Sequence, residues 1–221
     1  MFAAHYLGGN KMTELKKELE KALQELRKDK ERKFDQTVDL VINLKKFDIK
    51  KSQVNLFINM PHKIKDKKIC GFFETKQEGV ETITPAQFKK YSDKKELKKL
   101  IKKFDFFIAQ GSVMPKVATA FGRALGPAGK MPSPQLGIVM NVSEKEIEDL
   151  KKRINNTLKV KVKESSIKLA IGKQSMSDED IIENILSVYN YVVKALPRDK
   201  ENIKNIKLKF TMTKPIKINL N

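Results

Sequence analysis

KICGFF at residues 68–73 and FDFFIA at residues 104–109 are short, nearly unbroken apolar runs. A strand that is apolar on successive residues has both faces buried, as in a parallel sheet covered by helices. Helical patterns lie between and after them: SDKKELKKLIKKF (92–104), with Leu97, Leu100, Ile101 and Phe104 on one side; Met114 to Ala124; and VSEKEIEDLKKRI (142–154). The order strand, helix, strand, helix predicts a small parallel, Rossmann-like α/β domain over residues 67–156.

Outside that span the strands alternate, which marks one buried and one open face. Upstream, Leu15, Leu19, Ala22, Leu23 and Leu26 predict an amphipathic helix from Thr13 to about Lys28. Val38, Leu40, Ile42 and Leu44 then alternate with Thr37, Asp39, Val41 and Asn43, and Val54, Leu56, Ile58 and Met60 form a second core face that Pro61 ends. Downstream, Leu158, Val160 and Val162 oppose Lys159, Lys161 and Lys163; Ile167, Leu169 and Ile171 oppose Ser166, Lys168 and Ala170. Ser177 to Asp180 reads as a capping-box variant opening a helix that carries Ile181, Ile182, Ile185, Val188, Tyr189 and Val192. In a last strand Ile206, Leu208, Phe210 and Met212 share the core parity, against Lys207, Lys209, Thr211 and Thr213. The expected architecture is an α+β domain of split β-α-β type from residues 12–66 and 157–221, interrupted by the α/β domain at 67–156. Residues 1–11 are expected to be a loose extension, with Met12 a candidate start.

Charge points to the partner. Lys and Arg number 46 against 27 Asp and Glu, a formal +19, and residues 202–221 hold five lysines and no acid. Such an excess favours polyanions, nucleic acid first and an acidic membrane surface next. If the alternating strands share one open face, Lys159, Lys161, Lys163, Lys168, Lys207, Lys209 and Thr211 form a patch; if not, each is an ordinary solvated strand face. One cysteine, Cys70, excludes an intrachain disulfide, which fits the cytoplasm. No apolar run approaches the roughly 18 residues of a membrane span, so no membrane partner is expected.

Catalytic chemistry finds little support. FGRALGPAGKMPSP (121–134) is rich in glycine, but a phosphate-binding loop needs a longer glycine spacing than Gly126 to Gly129 and a hydroxyl where Met131 stands. Pro127, Pro132 and Pro134 instead predict a stiff, exposed turn. His5, His62 and Cys70 make no zinc set and no nucleophile–base couple, so no metal, cofactor or catalytic residue is expected. What stands out is Lys33-Phe34 ahead of a strand, AIGKQS (170–175) and FTMTKP (210–215). Each sets a hydroxyl, a cation or an apolar plate at a strand edge, the groups that meet ribose, phosphate and bases. Phe34 is either such a plate or a core staple.

Together RKFDQTVDLVINLK, FDFFIAQ, LGPAGKMPSP, IGKQSMSDEDIIENI and FTMTKPIKI resemble, in order, the signatures of the L-one family of ribosomal proteins in its archaeal and eukaryotic-like form. The resemblance runs from about Met12 to the end, and that family also has one domain inserted in another. It implies a monomer within the large ribosomal subunit, bound to rRNA at the mobile stalk beside the exit site, where it meets departing tRNA. It further implies repression of the chain's own mRNA through a mimic of the rRNA site. RNA contacts carry over to Lys33, Phe34, Thr37 and Asp39, to Gly172, Lys173 and Ser175, and to Thr211 and Met212; Lys207 and Lys209, with Thr213 beside the Thr-Met pair, complete the expected surface. The chain departs from the family pattern at Thr213, where glycine is usual, at Ala128, where arginine is usual, and in the turn Met60-Pro-His-Lys63. The competing expectations are a non-ribosomal α/β enzyme with a nucleotide in the inserted domain and a free RNA-binding regulator of the same fold.

Overall fold

A computed structural model describes residues 9–30, 32–48, 54–140, 143–162 and 164–219, which divide into two compact units. One is Lys65–Asn155; the other joins Met1–Ile64 to Asn156–Asn221. The architecture is an α+β unit interrupted by a parallel α/β unit.

In the discontinuous unit α1 (Gly9–Arg27) begins four residues before the expected Thr13. Residues 1–8 of the expected extension lie outside the described residues. The central sheet contains β1 (Thr37–Leu44), β8 (Ser166–Lys173), β9 (Ile203–Phe210) and β10 (Ile216–Ile218), all antiparallel in the order β10-β9-β1-β8. Its inward residues Val38, Leu40, Ile42, Ile171, Leu208 and Phe210 are fully buried against a core shared with α1 and α5 (Asp178–Ala195). Each such side chain contributes about 1.5–3 kcal/mol, so the alternation fixes which face looks inward. Ser177 caps α5 as expected, its hydroxyl accepting from the Asp180 N–H at 3.2 Å. The remaining strands, β2 (Asn55–Asn59) and β7 (Thr157–Lys161), form a separate two-stranded ribbon that adds Ile58 and Val160 to the same core.

Two expectations are corrected here. The last strand ends at Phe210 rather than running through Met212; the chain turns at 211–213 and returns as β10, with Ile216 opposite Leu208. Thr213 closes this turn, its N–H and hydroxyl donating to the Phe210 carbonyl while the hydroxyl oxygen accepts the Phe210 N–H at 2.9 Å. Met212 therefore leaves the core parity and is 58% exposed. Secondly, Lys159 and Lys161 ride on the β2–β7 ribbon and do not join Lys168, Lys207 and Lys209 on one sheet. Lys163 lies outside the described residues.

In the inserted unit β3 (Ile69–Phe72), β4 (Glu81–Ile83), β5 (Phe106–Gln110) and β6 (Ile138–Val139) form a parallel sheet ordered β4-β3-β5-β6. Both faces are buried, as the two apolar runs required: Phe72 and Phe107 on one parity, Phe73 and Ile108 on the other, are all fully buried. Rings fill the first side, Phe72 lying 5.0 Å from Phe121 and 5.7 Å from Phe107, centroid to centroid. Among the described residues α2 (Lys94–Lys103), α3 (Met114–Leu125) and α4 (Glu144–Asn156) accompany the sheet, with a 3-10 helix at Pro85–Ser92. After α3 the chain turns at Gly129 (φ 69°), a left-handed position suited to glycine. Pro132, expected on an exposed turn, is buried, because that loop folds back beside β5. Lys130 donates to the carbonyls of Ile101 and Phe104 at 2.7 Å each, capping the end of α2. The lysine of the glycine-rich loop is thus engaged by backbone, away from any phosphate-loop role.

Candidate nucleic-acid interface

The open face of the four-stranded sheet is ordered in rungs by strand register. Asn205, Asn43 and Ser166 make one, with the Asn43 amide donating to Asn205 at 2.7 Å. Lys217, Lys207, Val41 and Lys168 make the next, and Lys209 and Ala170 flank Asp39 in the third. Burial raises the Asp39 carboxyl above its ordinary value, and the Lys209 and Lys173 charges pull it part of the way back. Lysines from three strands therefore share this face.

The rungs lead to one end of the sheet, where three segments distant in sequence converge: the approach to β1, the exit from β8, and the 211–213 turn. Two residues not singled out from sequence join them. Gln36 is 1% exposed; its side chain accepts the Met212 N–H at 3.1 Å and donates to the Gln174 side chain at 3.2 Å, and its carbonyl accepts the Gln174 N–H at 2.8 Å. Asp35 receives both the N–H (3.1 Å) and the hydroxyl (3.0 Å) of Ser175. A buried amide with all its partners is worth most as a positioning device, since losing one strands the others. From α1, Arg27 braces the same loop, donating to the Gln174 and Met176 carbonyls and pairing with Asp178. The available signal for Asp35 and Gln36 was their place between Phe34 and Thr37 in the first signature.

Every expected site residue finds a definite place. Lys33 and Phe34 are exposed, Phe34 at 52%, so Phe34 is not a core staple. The Lys173 ammonium donates to the Thr37 hydroxyl at 3.2 Å and the Asp35 carbonyl at 3.4 Å. The Thr211 hydroxyl accepts the Thr37 N–H at 3.0 Å, supplying a last rung where the β1–β9 ladder has ended. Thr213 has no left-handed backbone, so the departure from glycine there brings no strain. Gly172 faces inward: a Cβ on it would sit 3.2 Å from Ile181 and 3.3 Å from Met176, so its lack of a side chain serves the packing of α5. The rim thus presents two bare apolar side chains, Phe34 and Met212, among Lys33, Lys173 and Lys209. Apolar plates between cations can stack bases while the cations take phosphate.

A family model described as the ribosomal protein L1p/L10e family matches residues 26–214. The chain is similar to proteins named large ribosomal subunit protein uL1. The one from Nanoarchaeum equitans is 34% identical over 87% of this chain and 95% of its own length. The Pyrococcus abyssi protein is 32% identical over 86% and 89%, and the Pyrobaculum aerophilum protein 34% over 90% and 91%. With that model spanning both units and relatives of this similarity matched almost end to end, the chain belongs to the ribosomal protein L1p/L10e family, a family of ribosomal proteins and not of enzymes.

Proposed function

We propose that this chain is a constituent of the large ribosomal subunit that binds rRNA at the stalk beside the exit site, and that the rim at the end of the four-stranded sheet is its binding surface. The observation that carries the reading is the convergence of three distant segments, pinned by Gln36 and Asp35, where Phe34 and Met212 stand exposed among lysines. Phe34 and Met212 supply stacking surface; Lys33, Lys173, Lys207 and Lys209 meet phosphates; Thr37, Ser175, Thr211 and Thr213 set the shape of the rim through their bonds to neighbouring backbone and side chains. The relatives' shared name supports the ribosomal setting. Contact with departing tRNA belongs to the same setting, and repression of the chain's own mRNA needs no second surface, because an mRNA folded like the rRNA site would occupy this one.

The test is sedimentation of the tagged chain with large subunits, repeated for Phe34→Ala/Met212→Ala. Both side chains are exposed, so the fold is expected to keep its melting temperature. Losing stacking worth about 1–3 kcal/mol per base should move most of the variant to the unbound fractions. Co-sedimentation equal to that of the unaltered chain would remove the rim from the reading.

A further inference from the structure

The inserted unit has a charged surface that the rRNA reading does not use. Helix α2, KKELKKLIKK, carries six lysines and one acid, Glu96. Two of the lysines are internally engaged: Lys99 pairs with Glu96 at 2.7 Å, and Lys103 with Glu81 at 2.6 Å. The other four, Lys94, Lys95, Lys98 and Lys102, are exposed and form no ion pair with another described residue. At 3.6 residues per turn they fall within one sector of about 100°. That sector lies between the face carrying Leu97, Leu100 and Ile101 on one side and the paired Lys99 and Lys103 on the other.

This arrangement is costly for an isolated helix. Lys94 and Lys95 occupy the first turn, where the helix macrodipole disfavours cations. Lys94 with Lys98, and Lys98 with Lys102, are like charges one turn apart, which repel. The lysine-rich composition of the chain does not explain it, because α4 of the same unit offers a control. There the first half holds Glu144, Glu146, Glu148 and Asp149 against one cation, Lys145, and Lys151, Lys152 and Arg153 follow, an order the macrodipole favours on balance. In α2, by contrast, Asp93 and Glu96 offset Lys94 and Lys95 at the first turn and Lys102 lies in the last turn where a cation is favoured, but no acid follows Glu96 to separate the like charges along the stripe.

We infer that the Lys94, Lys95, Lys98 and Lys102 stripe is a second RNA-contacting surface, one that grips the phosphate backbone of a helix without reading its sequence. The inference rests on the reading that this chain works bound to RNA. The stripe is about 12 Å long, a length along which a duplex presents roughly seven phosphate charges at one per 1.7 Å. It holds only ammonium groups, without Arg forks or exposed rings. That suits phosphate tracking and offers nothing for base readout or stacking. An acidic protein surface is the competing occupant.

The experiment uses the full chain, an RNA duplex of arbitrary sequence and a stalk-rRNA fragment. Lys94→Gln, Lys95→Gln, Lys98→Gln and Lys102→Gln together should weaken duplex binding about ten- to a hundred-fold at low salt. They should flatten the slope of log affinity against log salt by up to about 3.6 units. The matching fourfold Lys→Arg variant should keep the slope, and it decides the matter if the Gln variant melts early. An unchanged slope with Gln, or an equal loss with Arg, overturns the stripe. So does a polyglutamate peptide that displaces the duplex as well as competing RNA does, because the occupant would then be an acidic protein. Failure of the parent reading looks different: the unaltered chain would show no preference for the stalk fragment over the duplex, whatever the stripe variants do.

Discussion

The four-stranded sheet of the discontinuous unit has helices on one face and lysines on the other, whereas the parallel sheet of the inserted unit buries both faces and fills one with stacked phenylalanines. The same residue type serves opposite ends in the two. Phe107 is fully buried within hydrophobic packing, but Phe34 stands half out of the surface in front of a strand. A sheet covered on both faces can gain stability from aromatic area; a sheet with an open face can spend aromatic area on a partner. The difference shows that exposure at the end of an open sheet, and not hydrophobicity alone, separates binding side chains from core ones. The accessory stripe on α2 fits this division, since it lies on a helix surface and asks nothing of the closed sheet.

Separating the two units breaks the comparison most severely. A chain in which residues 12–66 run through a short linker into 157–221 is expected to fold and to bind a stalk-rRNA fragment within about ten-fold of the intact chain. Residues 67–156 alone are expected to lose more than about a thousand-fold. Titration of both against the same fragment checks this, and affinity residing in the inserted unit would reverse the assignment. A smaller effect is expected from Gln36→Leu, which keeps the buried volume but deprives the Met212 N–H of its acceptor. Leaving that group unpaired should cost about 1–3 kcal/mol, read as a lower melting temperature together with weaker RNA binding. A variant that melts early yet binds normally would make Gln36 a purely structural residue.

Alternation and capping were the legible parts of this fold. Val38, Leu40, Ile42 and Leu44 gave β1, Ser177 gave the start of α5, and KICGFF with FDFFIA gave the buried parallel strands, because each sets a period or a signature over many residues. β4, β6 and β10 are two or three residues long, too short for any period to appear. The supposed seven-residue basic patch failed as a unit because strand order is not written in side-chain alternation: Lys159 and Lys161 alternate as Lys168 does, yet belong to another sheet. In the site, Phe34 and Thr211 were visible through motifs. Gln36 was not, since nothing local distinguishes a buried amide with two partners from a solvated one; its role exists only once the 174 loop and the 211–213 turn arrive.

The smallest expected effect concerns the open face itself. Burial raises the Asp39 carboxyl above 3.8, with Lys209 and Lys173 offsetting only part of the shift. The folded state therefore holds that proton more tightly than the unfolded chain, so this contribution favours folding at low pH and fades as pH rises from about 3.8 through the raised folded value. Asp39→Asn should accordingly raise the melting temperature slightly at neutral pH, with the gain disappearing in acid. A loss of stability at neutral pH would show that the Lys209 and Lys173 attractions outweigh burial.

The chain has no tryptophan, so Phe34→Trp introduces a single indole at the rim. Adding a stalk-rRNA fragment should quench its emission saturably, with a midpoint equal to the Kd measured independently by gel shift, because an indole stacked on a base loses fluorescence. If the RNA binds with the same Kd while the emission stays unchanged, Phe34 does not touch RNA and the rim is not the binding surface.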